Sequence, residues 1–137
     1  TENNVANVLY DSGREGILDT TIDMTGDVRC VLVKSSYTFS AAHNFMDDIG
    51  TDDNGRSIAL SGKTYTAGVF DASDISLTAT SAVACEAIVL FQHTGNDATA
   101  RLIAYIDTPT SGLPFTPSAS QTVNIVFDSG ANRIFKL

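Results

Sequence analysis

Short apolar segments, each ended by a cluster of turn-forming residues, recur along this chain from residue 28 to its last residue. Residues 75–80 and 122–127 alternate apolar and polar side chains, which is the period of a strand with one buried face. Residues 28–34 and 87–91 are almost continuously apolar, as in strands that are covered on both faces. Strands of this length, with a turn roughly every ten residues, are typical of all-β domains. We therefore predict a mainly β fold, an antiparallel β-sandwich or barrel with one or two short helices.

The remaining elements follow from the same kinds of pattern. Residues 11–19 and 43–49 carry candidate helix caps and apolar side chains at helical spacing, so each predicts a short helix. Residues 51–56 consist of polar and turn-forming residues and predict a turn or loop. Further strands are predicted over residues 57–60, 63–67, 101–107 and 133–137, and a loop over residues 109–117, held to the body by Leu113 and Phe115.

Length and charge limit how many domains the chain can form and which partners it can bind. A chain of 137 residues with 43% hydrophobic side chains suits one domain, so we predict an N-terminal arm over residues 1–10 and a single β-rich domain over residues 11–137. Asp and Glu outnumber Lys and Arg by 16 to 8, whereas phosphate binding needs clustered basic residues. Nucleic acid is therefore excluded as a partner. No apolar run approaches the roughly 18 residues of a membrane span, so no membrane association is expected.

The two cysteines lie in apolar segments. Cys30 falls within residues 28–33 and Cys85 within residues 82–91, and neither has the CxxC spacing of a metal site. Since free cysteine is among the most buried residue types, we predict two buried free thiols. A disulfide between neighbouring strands stays open, because spacing alone does not decide whether two cysteines pair.

No motif in the sequence predicts catalysis. The segment Ser-Gly-Lys-Thr at residues 61–64 resembles the end of a phosphate-binding loop, but Ser57 stands where that loop requires its first glycine. The following residues have strand and turn character rather than that of a helix. His43 and His93 are the only histidines, too few for a three-histidine zinc site. We therefore predict that the chain is not an enzyme and needs no cofactor.

Four Asp residues fall within residues 47–53, directly before Asn54 and Gly55, and we call residues 47–55 the acidic loop. Several carboxylates on one loop suggest a calcium site, but the spacing departs from the EF-hand and no Glu closes the loop. We expect solvated turn carboxylates rather than a metal site. Asp52 and Asp53 are then candidate contacts for a basic patch on a partner protein.

Several motifs together resemble a family of small structural proteins of tailed bacteriophages. The resemblance covers nearly the whole chain, although members often carry Trp where this chain has Met24 and Phe127. It rests on strands and turns, not on catalytic signatures. The matching segments are residues 10–14 (Tyr-Asp-Ser-Gly-Arg), 62–64, 68–72, 86–90, 101–107 (Arg-Leu-Ile-Ala-Tyr-Ile-Asp), 112–114 (Gly-Leu-Pro) and 130–137 (Gly-Ala-Asn-Arg-Ile-Phe-Lys-Leu).

The resemblance implies a virion component, in particular a decoration (cement) protein that binds the major capsid protein on the outer surface of the head. It implies no cofactor and no active site. Such a protein is made in the host cytoplasm, and we expect it to form a homo-oligomer, a trimer as the working hypothesis. The candidate partner contacts are Glu2, Asn3, Asn4 and Val5 of the N-terminal arm, with Asp52 and Asp53 of the acidic loop.

Two other functions remain open at this point. One is a different place in the virion, as a tail, neck or baseplate component. The other is a carbohydrate-binding module that helps the virion adhere to its host, for which few candidate aromatic residues are available because the chain has no Trp.

Overall fold

A computed structural model describes residues 7–107, 115–127 and 134–136 of the chain. One helix, α1, spans Asp11–Leu18, and three 3-10 turns span Met46–Asp48, Gly50–Asp52 and Thr66–Gly68. The strands are β1 Asn7–Leu9, β2 Val28–Lys34, β3 Asp53–Arg56, β4 Val69–Phe70, β5 Ile75–Thr78, β6 Cys85–Gln92, β7 Leu102–Ile106, β8 Thr122–Ile125 and β9 Phe135–Lys136.

The main sheet has five strands in the order β1-β7-β6-β2-β3, and every neighbouring pair is antiparallel. Two small antiparallel sheets, β4-β9 and β5-β8, accompany it. The mainly β, antiparallel prediction is thus confirmed. The sheets do not close into a barrel, which is compatible with the sandwich.

The main sheet is buried on both faces, which explains why β2 and β6 read as nearly continuous apolar runs. On one face, Cys30, Ile88 and Leu90 pack in a cluster with side chains from the small sheets, such as Leu77 and Phe135. On the other face, a second cluster joins the sheet to the segment between β2 and β3. Its members are Tyr10, Val31, Val33, Tyr37, Met46, Ile49, Ala87, Val89, Phe91, Ala100, Leu102 and Tyr105.

Helix α1 contains two glycines that weaken a helix in isolation. A Cβ at Gly13 would lie 2.5 Å from the carbonyl oxygen of Ile103 in β7, and one at Gly16 would lie 2.5 Å from the Ile22 side chain. Gly13 therefore lets the helix pack directly against the backbone of β7, and Gly16 leaves room for the Ile22 side chain. The short helix predicted over residues 11–19 is confirmed.

Three sequence predictions need correction. Residues 53–56, predicted as part of a turn, form β3, because pairing with β2 supplies partners to this polar segment. Residues 63–67, predicted as a strand, give one isolated bridge at Thr64 and enter a 3-10 turn. The arm predicted over residues 1–10 includes residues that belong to the folded body, since β1 pairs with β7 and Tyr10 is fully buried.

Two further segments differ in detail from the prediction. Residues 57–60 are not a regular strand, but Ser57 and Leu60 each donate a backbone hydrogen bond to β2, at 2.8 Å. The helix predicted over residues 43–49 is replaced by short 3-10 turns. Much of the predicted 109–117 loop, including Leu113, lies outside the described residues, and Phe115 is 38% exposed although its backbone pairs with Cys85.

Candidate functional site

The predicted partner contacts of the N-terminal arm, Glu2, Asn3, Asn4 and Val5, lie outside the described residues. The first described residue, Asn7, begins β1 at one edge of the main sheet. The acidic loop leads into β3 at the opposite edge, with three strands between. The described chain therefore begins at one edge of the main sheet, and Asp53 lies in the strand at the other edge.

The carboxylates of the acidic loop are held by nearby donors. Asp48 accepts hydrogen bonds from the backbone N–H groups of Asn44 (2.8 Å) and Phe45 (3.3 Å), which caps the 3-10 turn that follows. Asp52 accepts a hydrogen bond from the Ser36 hydroxyl. Asp53 accepts from the backbone N–H of Gly55, at 2.8 Å. Asp48 and Asp53 bond the backbone beside them and Asp52 bonds a side chain of another segment, so these three carboxylates have separate partners.

Arg56 connects the acidic loop to the turn between β6 and β7. Its Nε donates to Asp53 at 2.7 Å, and its two terminal nitrogens bond both carboxylate oxygens of Asp97 at 2.9 and 2.8 Å. These hydrogen bonds lower the pKa of Asp97 below its ordinary value. The guanidinium also lies 5.5 Å from the centre of the Phe91 ring. One side chain thus fixes two loops against the sheet.

The side chain of Asn54 forms a second set of hydrogen bonds that holds the same loop. It is fully buried. The amide nitrogen donates to the Ser81 carbonyl and to the Cys85 sulfur, both at 3.2 Å. The amide oxygen accepts from the Thr80 hydroxyl, the Ser81 N–H and the Ser81 hydroxyl, at 2.9, 2.9 and 2.7 Å. β3 is therefore tied to the segment that follows β5.

A third network holds the segment after β2. The hydroxyls of Tyr10 and Tyr37 are 2.8 Å apart, and the Tyr37 hydroxyl lies 2.7 Å from Nδ1 of His43. Burial raises the pKa of both phenols, and the bond to Tyr37 raises that of Tyr10 further. These tyrosines stay neutral and act as hydrogen-bond groups of the core. His43 is thus bonded within a structural network that holds the segment after β2.

The segment that resembles a phosphate-binding loop has another role. Gly62 has a φ of +62°, and a Cβ there would lie 2.4 Å from the Ser73 hydroxyl oxygen. The Lys63 ammonium donates to the carbonyl of Gly26. Thr64 and Asp71 exchange two backbone hydrogen bonds. This is a closed structural loop whose lysine is held by backbone.

Neither the cysteines nor the described carboxylates form a disulfide or a metal site. Cys30 and Cys85 are both free and buried, which confirms the first prediction and leaves no disulfide between them. Within the described ranges, no group of three or more His, Cys, Asp or Glu side chains is placed to hold a metal ion.

Sequence patterns did not indicate which apolar side chains would remain on the surface. In the described part of the chain, the exposed large apolar residues are Leu18, Ile58, Tyr65, Val83 and Phe115. Leu18 and Ile58 are the most exposed, at 82% and 81%. Leu18 follows the partly buried Ile17, and Ile58 lies two residues before the buried Leu60, so periodicity alone does not predict that these two side chains are exposed.

Comparison with known proteins gives no relative: no family model matches this chain, and neither does any curated protein or solved structure. Among the residues that the structure covers, no helix is long and apolar enough to cross a membrane.

Proposed function

We propose that this chain is a structural protein of a bacteriophage virion that decorates the outer surface of the head. The proposal rests on one observation, that polar side chains hold the loops of the protein to its main sheet. Arg56, Asn54 and Tyr37 each bond groups that are distant in sequence, and they fasten loops onto an antiparallel sheet. A pre-organised surface loses little conformational entropy when it binds a partner. This suits a protein that acts by binding.

The resemblance to small structural proteins of tailed phages supports the same function, because it extends over nearly the whole chain. The partner under this proposal is the major capsid protein. A shell presents many copies of one binding surface, so an oligomer that bridges neighbouring subunits gains affinity through avidity. We therefore propose a homo-oligomer, with a trimer as the specific hypothesis.

The charge of the chain supports an outer position. The net charge of -8 is carried mostly by Asp residues in turns around a β core. Such a surface is repelled by the phosphates of packaged DNA. The outer face of the shell is the side on which this repulsion is weakest.

The proposal is tested with heads and tails purified from a phage strain in which the gene for this chain is deleted. The purified protein should bind the deleted-strain heads saturably and raise their melting temperature, while tails from the same strain bind nothing. Light scattering of the free protein measures its oligomeric state. Saturable binding to tails instead would replace decoration with a tail, neck or baseplate role. Binding to neither particle, together with hits on a glycan array, would favour the adhesion module.

A further inference from the structure

An apolar pocket of about 230 Å³ opens beside the end of α1. Four elements of the fold contribute to it: the helix, the turn before β2, the 3-10 turn before β4, and the β4-β9 sheet. Apart from the Tyr65 hydroxyl, the described side chains that line it are apolar. Its described lining residues are Ile17, Met24, Tyr65, Gly68, Val69, Phe70 and Phe135.

The walls of the pocket are held in place by contacts of their own. The Tyr65 hydroxyl donates to the Met24 carbonyl at 3.0 Å, which joins two sides of the opening. The ring of Phe70 lies 5.9 Å from that of Tyr65 and stacks on that of Phe135 at 5.3 Å, between ring centres. Aromatic pairs at these distances contribute beyond the area they bury. The pocket is therefore preformed and does not depend on a ligand to open it.

The rim of the pocket exposes apolar surface. The lining residue Tyr65 is 45% exposed. Leu18, which is not among the described lining residues, follows the lining residue Ile17 at the end of α1 and is 82% exposed. A hollow bordered by exposed large apolar side chains is the usual form of a site that receives an anchor side chain from a partner.

Two carboxylates flank this apolar surface on the same segment of chain. Asp19 follows Leu18, and its Oδ1 accepts hydrogen bonds from the N–H and the hydroxyl of Thr21, at 2.9 and 2.7 Å. Asp23 precedes Met24 and bonds Thr25 in the same way, at 2.9 and 2.5 Å. These bonds lower the pKa of both carboxyls, so both are charged at neutral pH. Both side chains are exposed. Burial and the nearby charge of Asp23 raise the pKa of the Tyr65 hydroxyl, so this carboxylate acts on the wall of the pocket.

We infer that this pocket binds a protein segment that presents a large aliphatic or aromatic side chain next to Lys or Arg. The apolar side chain fills the pocket, and the basic groups pair with Asp19 and Asp23. Acidic residues outnumber basic ones by 16 to 8 in this chain, so a basic segment of a partner complements Asp19 and Asp23 better than a second copy of the chain does. Under the proposed function, on which this identification rests, the segment belongs to the major capsid protein.

The first test is independent of the virion. The chain contains two methionines, and Met24 lines the pocket whereas Met46 is buried on the opposite face of the main sheet. With ¹³C-methyl methionine, each gives its own NMR signal. The probe is the peptide acetyl-Lys-Phe-Lys-Leu-Lys-amide, with acetyl-Glu-Phe-Glu-Leu-Glu-amide and acetyl-Lys-Ser-Lys-Ser-Lys-amide as matched controls.

The basic apolar peptide should shift the Met24 signal saturably and leave the Met46 signal in place. Both control peptides should have at least about tenfold weaker effects, because each lacks one of the two interactions. Equal shifts by the acidic and basic peptides would overturn the charge requirement, and no shift by any peptide would overturn the site. A Met24 signal that moves with protein concentration alone would assign the pocket to a second copy and would also overturn the inference.

The second test uses the deleted-strain heads. Leu18→Asp should weaken head binding by at least about tenfold, whereas Ile58→Asp, at a position of equal exposure far along the chain, should leave it unchanged. If the unaltered protein binds heads and both variants bind equally well, the pocket is not the contact and decoration stands. If the unaltered protein does not bind heads but the peptide still shifts Met24, decoration fails and the pocket stands.

Discussion

Asn54 illustrates at the scale of one residue how this protein uses its polar groups. The residue lies in a segment that reads as a turn, yet its amide is fully buried and uses both its nitrogen and its oxygen. A buried amide with all its partners is stabilising, whereas removing it leaves those partners unsatisfied. Local sequence does not reveal such a role, because the partners come from residues 80–85, more than 25 positions away.

Asn54→Ala should lower the free energy of unfolding by about 2–4 kcal/mol, because the buried N–H of Ser81 loses its acceptor. Chemical denaturation at neutral pH measures the change. Asn124→Ala is the control, since that side chain is exposed and bonds Ser76 at the surface, and it should change the free energy by less than about 0.5 kcal/mol. Equal effects of the two substitutions would show that the hydrogen bonds of the buried Asn54 side chain do not stabilise the fold.

Arg56 predicts a pH dependence with a defined sign. Its hydrogen bonds lower the pKa of Asp97 in the folded state, so the unfolded chain takes up that proton first as the pH falls. The stabilisation is fully present above the unfolded-state pKa of about 3.9 and is lost as the pH falls through the lower folded-state value. Arg56→Gln should therefore cost about 1 kcal/mol at pH 7.

Denaturation curves of the Arg56→Gln variant and the unaltered protein, recorded from neutral pH down to below the pKa of aspartate, check this. The difference in free energy of unfolding between the two proteins should become smaller at the lowest pH values. Arg14→Gln removes the same charge from the exposed side of α1 and should give a small difference at every pH. If the difference in free energy of unfolding between Arg56→Gln and the unaltered protein stays constant with pH, the coupling to Asp97 is refuted.

Helix α1 is an element in which packing reverses the usual effect of a Gly→Ala substitution on stability. Gly→Ala in an exposed helix stabilises it by about 0.5–1 kcal/mol. At Gly13 the added Cβ would lie 2.5 Å from the Ile103 carbonyl oxygen, so the helix must move off β7. Gly13→Ala should therefore destabilise the protein by about 1–3 kcal/mol.

Thermal and chemical unfolding of Gly13→Ala measure this effect, with Glu15→Ala on the exposed side of the same helix as the control. The control raises helix propensity slightly without a new contact, so it should be neutral within about 0.5 kcal/mol. A stabilised Gly13→Ala would mean that the helix does not pack this closely on β7.

The strands show which elements a sequence can predict. β2, β5, β6, β7 and β8 were predicted because each carries an alternating or nearly continuous apolar pattern within its own residues. β3 was missed because its residues are Asp-Asn-Gly-Arg, which favour turns, and only the backbone groups of β2 make the segment a strand. A segment whose stability comes from a distant partner leaves no local signal.

At the scale of the whole molecule, apolar clusters on both faces of the main sheet make its opening a cooperative event. Cys30 and Cys85 belong to one of these clusters, and burial raises the pKa of both thiols. The reactive thiolate is therefore suppressed and also out of reach. Both cysteines should react with Ellman's reagent only when the domain unfolds.

The folded protein should release almost no chromophore, and two equivalents should appear in a denaturing concentration of guanidinium chloride. At intermediate concentrations both thiols should react at one rate that follows global unfolding. Rapid reaction of one thiol in the folded protein would show that the sheet opens locally. A Cys→Ser variant of each residue assigns the signal.

The sequence by itself determined the mainly β fold class, the strands with clear apolar patterns and the burial of both cysteines, because composition and period act locally and add along the chain. Only the tertiary structure decided that the polar turn at 53–56 is a strand, that the glycines of α1 are contact points, and that an apolar pocket lies beside the end of α1. Each of these depends on groups that are far apart in sequence. These contacts form only when the chain folds and stabilise nothing before then, so no local sequence pattern predicts them.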